Sequence, residues 1–317
     1  MSKTATAKPR AAKQSPAEQI VKINKQELKL TNLTKLYFPK DKISKGDVIA
    51  YYDSIAPVLL PYLKNRPMSL KRNPNGIDAP AFYHKDAGEQ APDWIDTYDV
   101  YAESSNKVVN YIVCNNKATL LYLANLGCIE MNPWNSTVNK PDNPSYLIID
   151  IDPSKKNTFD QVISVAQATQ EVLNRAGAVS YCKTSGASGL HVYLPLNARY
   201  PYELAREFAE IVATLVHEQL QGITSIERSL SKRGNKIYVD YLQNSRGQTL
   251  ASAYSLRPEP GATVSAPLLW KEVKAGLHPS QFTIFNIESR VKKLGDIFYM
   301  VLKKGNDLRH CLKNLGY

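Results

Sequence analysis

Three aspartates stand where the surrounding pattern calls for apolar side chains. Asp150 and Asp152 lie in Tyr146-Leu147-Ile148-Ile149-Asp150-Ile151-Asp152-Pro153, and Asp240 lies in Lys236-Ile237-Tyr238-Val239-Asp240-Tyr241. Both runs are short, apolar and β-branched, and the first is bounded by Asn143-Pro144 and Pro153-Ser154, which predicts strands rather than helices. Side chains alternate faces along a strand. Asp150 and Asp152 therefore share one face while Leu147, Ile149 and Ile151 take the other, and Asp240 opposes Ile237 and Val239. Aspartate is disfavoured in strands, and two carboxylates crowded together repel unless one is protonated or a cation lies between them. Two readings stand: the acids end strands before turns, or they are hard oxygen ligands. Three of them suit a two-metal site, with ions about 3.5–4 Å apart, one at the nucleophile and one at the leaving group.

The turn Ser185-Gly186-Ala187-Ser188-Gly189-Leu190-His191 offers small residues and backbone N–H groups, the makings of a nest for phosphates or simply of a glycine-rich hairpin. It is not a P-loop or a dinucleotide fingerprint, because it lacks Gly-Lys-Ser/Thr and opens a strand. His191 by itself reads equally as a packed strand residue. Lys71-Arg72, Lys232-Arg233, Lys236 and Arg257 supply cations that could neutralise a triphosphate or simply sit in solvent. Phe82-Tyr83 beside Lys85 could stack on bases, or belong to the core.

The elements that must position these residues follow from the hydrophobic pattern. Ser44 and Asp47 form a capping box that opens a helix with Val48, Ile49, Tyr52, Ile55, Ala56, Leu59, Leu60 and Leu63 on its apolar face; Pro57 and Pro61 should kink or break it midway. Strands are predicted at Met68–Arg72, 107–113 and 128–134, with a short helix at 119–126 stopped by Gly127. Thr158 and Gln161 open a second capped helix reaching Ala176, ahead of strands at 179–184 and 190–196. A further helix starts at Pro201 as its first residue and ends before Gly222. Helices between strands and a tight strand–strand turn predict a mixed α/β or α+β domain with no internal repeat.

With 43% hydrophobic and 22% charged residues, the 317-residue chain has the composition of a globular protein and no run long enough to span a membrane. Its N-terminus lacks the apolar core of a secretory signal. Cys114, Cys128, Cys182 and Cys311 show no C-x-x-C spacing, against both a disulfide framework and a zinc site, and a reducing cytoplasm is expected. Of the net charge of +11, residues 1–45 hold +8, from eleven Lys/Arg against three Asp/Glu. That asymmetry suits a polyanion partner, most often nucleic acid, or a solubilising tail. Residues 1–26 are expected to be a basic disordered tail, and 27–317 a single domain.

Taken in order, Leu30-Thr31-Asn32 through Lys35, Arg66-Pro67 through Lys71-Arg72 with Asn75-Gly76, Pro80-Ala81-Phe82, Asp150-Ile151-Asp152-Pro153, Thr184-Ser185-Gly186 with Gly189-Leu190-His191, Val239-Asp240 and Tyr254-Ser255-Leu256-Arg257 resemble the polymerase domain of bacterial DNA ligase D, in the archaeo-eukaryotic primase superfamily. The resemblance covers residues 28–290. It implies a primase-polymerase fold with a central, largely antiparallel sheet, and a template-dependent nucleotidyltransferase that extends a primer at DNA breaks or gaps in non-homologous end joining. It implies two divalent cations, manganese or magnesium, on Asp150, Asp152 and Asp240, with Asp240 nearest the primer 3′-hydroxyl. Ser185, Gly186 and His191, helped by Lys236 and Arg257, would bind the nucleoside triphosphate (NTP or dNTP). Lys71 and Arg72 would line the nucleotide and template pocket, Phe82 and Tyr83 would stack at the duplex end, and Lys35 and Lys45 would grip a downstream 5′-phosphate. A Ku-like end-binding protein and a separate DNA ligase are the partners this implies, in the bacterial cytoplasm at the nucleoid. Asn132 stands where the family usually has histidine before Pro-Trp, and Ser188 where it often has lysine; Asn132 can still hydrogen-bond a sugar or phosphate. A decayed, non-catalytic DNA-end-binding module is the alternative these departures raise, and three retained acids speak against it. Ligase and nuclease modules fused in many relatives have no counterpart in these 317 residues, which leaves a stand-alone polymerase or a piece of a longer chain.

Overall fold

The computed structural model describes residues 17–23, 25–88, 91–102 and 106–317. Most of the expected tail, residues 1–16, lies outside the described residues. The remainder departs from that expectation: β1 (Gln19–Ile23) pairs antiparallel with β2 (Gln26–Leu30). Val21 and Ile23 lie half-buried against the core while Ile20 and Lys22 face outward, so pairing with β2 orders a segment too short to show its own periodicity.

The hairpin of β3 (Leu36–Phe38) and β4 (Ile43–Ser44) leads into α1 (Lys45–Leu63). The Ser44–Asp47 capping box is present, but α1 runs unbroken through Pro57 and Pro61. One turn apart, they lie on the outer face, where Pro57 is exposed, so the carbonyls they leave unpaired can turn to water. The opposite face buries Val48, Tyr52, Ile55, Leu59 and Leu63, and that packing holds the helix together.

Next come β5 (Met68–Arg72), β6 (Phe82–His84), the hairpin of β7 (Thr97–Ala102) and β8 (Lys107–Ile112), α2 (Lys117–Asn125) and β9 (Cys128–Pro133). β5 lies between β6 and β9 in an antiparallel three-stranded sheet. After the hairpin of β10 (Ser136–Thr137) and β11 (Lys140–Pro144), the chain forms β12 (Tyr146–Asp152), α3 (Phe159–Arg175), β13 (Tyr181–Thr184), β14 (Leu190–Pro195), α4 (Tyr202–Gln219), β15 (Thr224–Ser225), the short helix α5 (Leu230–Arg233), β16 (Ile237–Asp240), β17 (Pro267–Leu268), α6 (Ile287–Leu294) and α7 (Leu308–Leu315). The Thr158–Gln161 box caps α3 as expected, whereas Pro201 is the residue that caps α4 rather than its first turn.

The six-stranded central sheet runs β15-β16-β12-β14-β13-β17, antiparallel except between β15 and β16. The fold is therefore α+β with a largely antiparallel central sheet. Leu147, Ile149 and Ile151 enter one core with Ile237, Val239 and the inner faces of α3 and α4. Tyr146 and Ile148 join a second core containing α1 and α2. β12 is thus packed on both faces, and the aspartates leave the second face only near its end. All four cysteines are free and buried, and among the described residues no helix is long and apolar enough to cross a membrane.

Candidate active site

Antiparallel register sets four side chains in one row across the sheet. Asp240 of β16 lies opposite Asp150 of β12, Asp150 opposite His191 of β14, and His191 opposite Lys183 of β13. Asp152, two residues past Asp150, shares its face. His191 Nε2 is 3.3 Å from Asp150 Oδ1, and Lys183 Nζ is 2.8 Å from His191 Nδ1. Asp240 accepts hydrogen bonds from the Leu242 N–H at 2.7 Å and Gln243 Nε2 at 3.0 Å.

Burial, then the neighbouring Asp152 and Asp240 charges, push the Asp150 carboxyl from 3.8 up to about 8. Burial raises Asp152 as well, against the opposing pull of Arg233. Burial, Lys183 and Arg257 hold the His191 imidazole well below its ordinary value, so the ring is neutral. Carboxylates crowded on one sheet face have the hard-oxygen chemistry that a divalent cation would relieve, and it is by that chemistry, not by a preformed ligand geometry, that the residues suit such ions. Among the described residues no group of three His, Cys, Asp or Glu side chains forms a ready-made metal cluster.

The Ser185–Gly189 turn joins β13 to β14 beside the end of β12. A Cβ on Gly189 would come within 2.2 Å of the Ile151 carbonyl oxygen, so close backbone approach demands glycine there. Gly186 has φ +77°, with the Arg257 stem and the backbone at 264–265 filling the space beside it. Ser185 Oγ accepts from the Ala187 and Gly189 N–H groups at 3.1 and 3.0 Å, so part of the expected nest is satisfied by the turn itself. Arg257 Nη1 donates to the Ser185 carbonyl at 2.6 Å and Nε to Glu130 Oε2 at 2.8 Å, which ties the turn to β9. Opposite β14, a cleft of about 530 Å³ opens onto all three aspartates and is lined by Arg206, Arg228, Arg233, Tyr238 and Gln243. Arg233 Nη1 is 3.8 Å from Asp152 Oδ2, and its guanidinium lies over the Tyr238 ring.

A second cationic region lies on the N-terminal elements. Lys45 is buried, and burial together with Lys35 and Arg72 lowers its ammonium to about 8. Its Nζ lies 3.5 Å from Thr31 Oγ1, while Lys35 Nζ donates to Asn75 Oδ1 at 2.5 Å. On β6, Phe82 and Tyr83 are 46% and 64% exposed, which makes them surface rings rather than core. The Arg72 guanidinium lies 5.3 Å from the Phe82 ring centre and is anchored on the Leu126 carbonyl. Lys71 sits across from Tyr83 on β6 and Glu130 on β9. Asn132 is buried in β9 opposite Ser69. Lys236 is not brought to the turn: its ammonium donates to the Gln221 carbonyl at 2.7 Å, on the β15 side of the sheet.

The family profile for the LigD primase-polymerase domain matches residues 44–298. The chain belongs to the LigD primase-polymerase family. It is 33% identical over 282 residues to the bifunctional non-homologous end joining protein LigD of Bacillus subtilis, covering 89% of this chain and 45% of the relative. It is 30% identical over 285 residues to the multifunctional non-homologous end joining DNA repair protein LigD of Mycobacterium tuberculosis, covering 86% and 37%. This primase-polymerase chain thus spans less than half the length of those relatives. A solved structure of the polymerase domain of Mycobacterium tuberculosis ligase D in complex with DNA superposes with a TM-score of 0.81 at 29% identity, covering 87% of this chain and 98% of the other.

Several residues packed around the candidate site carry no motif in the sequence. Lys183 is fully buried behind His191, Glu130 holds Arg257, and Arg206 and Arg228 line the acid cleft. Lys183 and Glu130 each carried a legible signal, a charge inside an apolar strand. Arg206 and Arg228 carried none.

Proposed function

We propose that this chain is a template-dependent nucleotidyltransferase that extends a primer strand at DNA breaks or gaps in non-homologous end joining. The carrying observation is the register that sets Asp150 against Asp240, with Asp152 on the same face and the Ser185–Gly189 turn beside them. The membership in the LigD family and the likeness to a DNA-bound polymerase domain support the same reading.

In this reading the primer 3′-hydroxyl attacks the α-phosphate of a bound NTP or dNTP; the new phosphodiester bond forms as the α–β bond breaks, pyrophosphate leaves and the hydroxyl proton passes to solvent. Asp150, Asp152 and Asp240 would hold two divalent cations, manganese or magnesium, which when bound supply Lewis acidity at the hydroxyl and charge neutralisation at the phosphates. Ser185, Gly186, His191 and Arg257 orient the triphosphate. Arg257 arrives already fixed by Glu130, so little side-chain freedom is lost when it meets an anion. Lys71 and Arg72 line the nucleotide side, where Asn132 contributes an amide. The exposed Phe82 and Tyr83 rings offer a platform to the terminal base pair, at about 1–3 kcal/mol per stacked base. Lys35 and Lys45 bind the downstream 5′-phosphate. A Ku-like end-binding protein and a DNA ligase complete the joining.

Primer extension on a 5′-phosphorylated gapped duplex, with Mn²⁺ or Mg²⁺ and both nucleotide types, tests the proposal. Wild type extends the primer, whereas Asp150→Ala and Asp240→Ala lose about 10³-fold or more. Gap binding without extension in wild type, under either metal, would instead identify a non-catalytic end-binding module.

A further inference from the structure

Lys183 is completely buried on β13, and no step so far uses it. An ammonium in the protein interior is strongly destabilising unless its protons find acceptors. Three polar atoms surround Nζ: the Ala251 carbonyl at 2.9 Å, Ser265 Oγ at 2.5 Å and His191 Nδ1 at 2.8 Å. A carbonyl can only accept. Ser265 Oγ donates its own proton to the Thr184 carbonyl at 2.8 Å, so toward Lys183 it accepts as well. Burial, then Arg257, lowers the Lys183 ammonium to about 7; below that value it has three donors and no acceptor, so its third proton points at His191 Nδ1. A neutral imidazole carries one N–H, and with Nδ1 accepting, that proton is on Nε2. Nε2 is the nitrogen facing Asp150 Oδ1, 3.3 Å away.

We propose that Lys183 is a positioning residue whose ammonium locks His191 in the Nε2–H tautomer, so that a donor faces Asp150 and the incoming triphosphate. The opposite tautomer would turn a lone pair toward the polyphosphate. Lys183 acts wholly through His191; it is one strand further from the acids and has no open surface. The tautomer follows from this geometry with Lys183 in its ammonium form, and only its consequence for the triphosphate rests on the nucleotidyltransferase reading. Partners behind an imidazole fix its orientation in metal sites by the same logic.

The test uses the full chain labelled with ¹⁵N-histidine, without metal, at pH 6, below the value of about 7 to which burial lowers the Lys183 ammonium. The His191 ring signals are assigned by their loss in His191→Asn. Wild type shows a protonated Nε2 and a bare Nδ1. Lys183→Met, similar in length and free of the buried charge, shifts the ring nitrogens toward a mixture of tautomers. Lys183→Gln, uncharged but still polar, is the second variant if Lys183→Met folds poorly; it too shifts the ring nitrogens toward a mixture, and an unchanged tautomer there overturns the proposal as well. A non-hydrolysable nucleoside triphosphate titrated with Mn²⁺ binds Lys183→Met about tenfold more weakly than wild type, the loss expected of one charge-assisted hydrogen bond. An Nδ1–H tautomer in wild type, or an unchanged tautomer in Lys183→Met, overturns the proposal. A shifted tautomer with unchanged triphosphate affinity overturns the positioning role. Failure of wild type to bind the triphosphate at all counts against the nucleotidyltransferase reading and leaves the tautomer assignment standing.

Discussion

At the scale of single residues, the central tension is carboxylate charge held off solvent. The Asp150 carboxyl, raised from 3.8 to about 8, binds a proton more tightly in the folded than in the unfolded chain. It therefore stabilises the metal-free fold most at low pH; that contribution is complete below about 4 and is lost as pH rises through about 8. Asp150→Asn should raise the metal-free melting temperature at pH 8 by roughly 2–4 °C, the shift that ~1 kcal/mol makes in a larger domain, while abolishing extension. Scanning calorimetry at pH 5 and pH 8 checks the sign: the gain must be larger at pH 8. Lys45 shows the converse. Its ammonium, lowered to about 8 by burial, Lys35 and Arg72, is charged below that pH and neutral above it. Affinity for a 5′-phosphorylated gap should fall between pH 7 and pH 9, and Lys45→Arg should flatten the fall, read by fluorescence anisotropy against an unphosphorylated gap.

At the scale of elements, the β13–β14 turn and the Arg257 segment behave as one unit. Arg257 reaches from Glu130 on β9 to the Ser185 carbonyl, and Thr263 Oγ1 donates to the Gly186 carbonyl. Gly189→Ala would drive a methyl into the Ile151 carbonyl, and backbone cannot yield as a flexible side chain can. The expected cost is about 1–3 kcal/mol of stability with weakened triphosphate binding, measured by urea unfolding and by titration of a nucleotide analogue. On the opposite face of β12, Ile149 has no site role and lies wholly in the α3/α4 core. Ile149→Ala should lower unfolding stability by about 2–5 kcal/mol through the cavity it leaves.

At the scale of the whole molecule, charge gathers in two regions: the acid row at the centre of the sheet and the Lys35–Lys45–Arg72 cluster. Attraction of a DNA end to the latter should be strongly salt-dependent. The plot of log affinity against log salt should lose about two units of slope in Lys35→Ala/Lys45→Ala if each lysine neutralises one phosphate. An unchanged slope would place the 5′-phosphate elsewhere. What could be read along the chain was whatever depends on neighbours in sequence. The alternation that put Asp150 and Asp152 on one face, the Ser44–Asp47 and Thr158–Gln161 boxes, the helix stop at Gly127 and the hairpin turn at 185–189 are all local, and all are present. Where local rules were taken alone they also misled, at Pro57 and Pro61 in α1 and at the start of β1, because packing against the core outweighs propensity there. The tertiary structure alone decided that β16 lies beside β12 in the register that pairs Asp240 with Asp150, that Arg257 is clamped between Glu130 and the turn, that Lys236 is drawn off to Gln221, and that Lys183 is sealed behind His191. Strand order and long-range register are set by how two cores fill around one sheet, and no window of sequence contains both sides of those contacts.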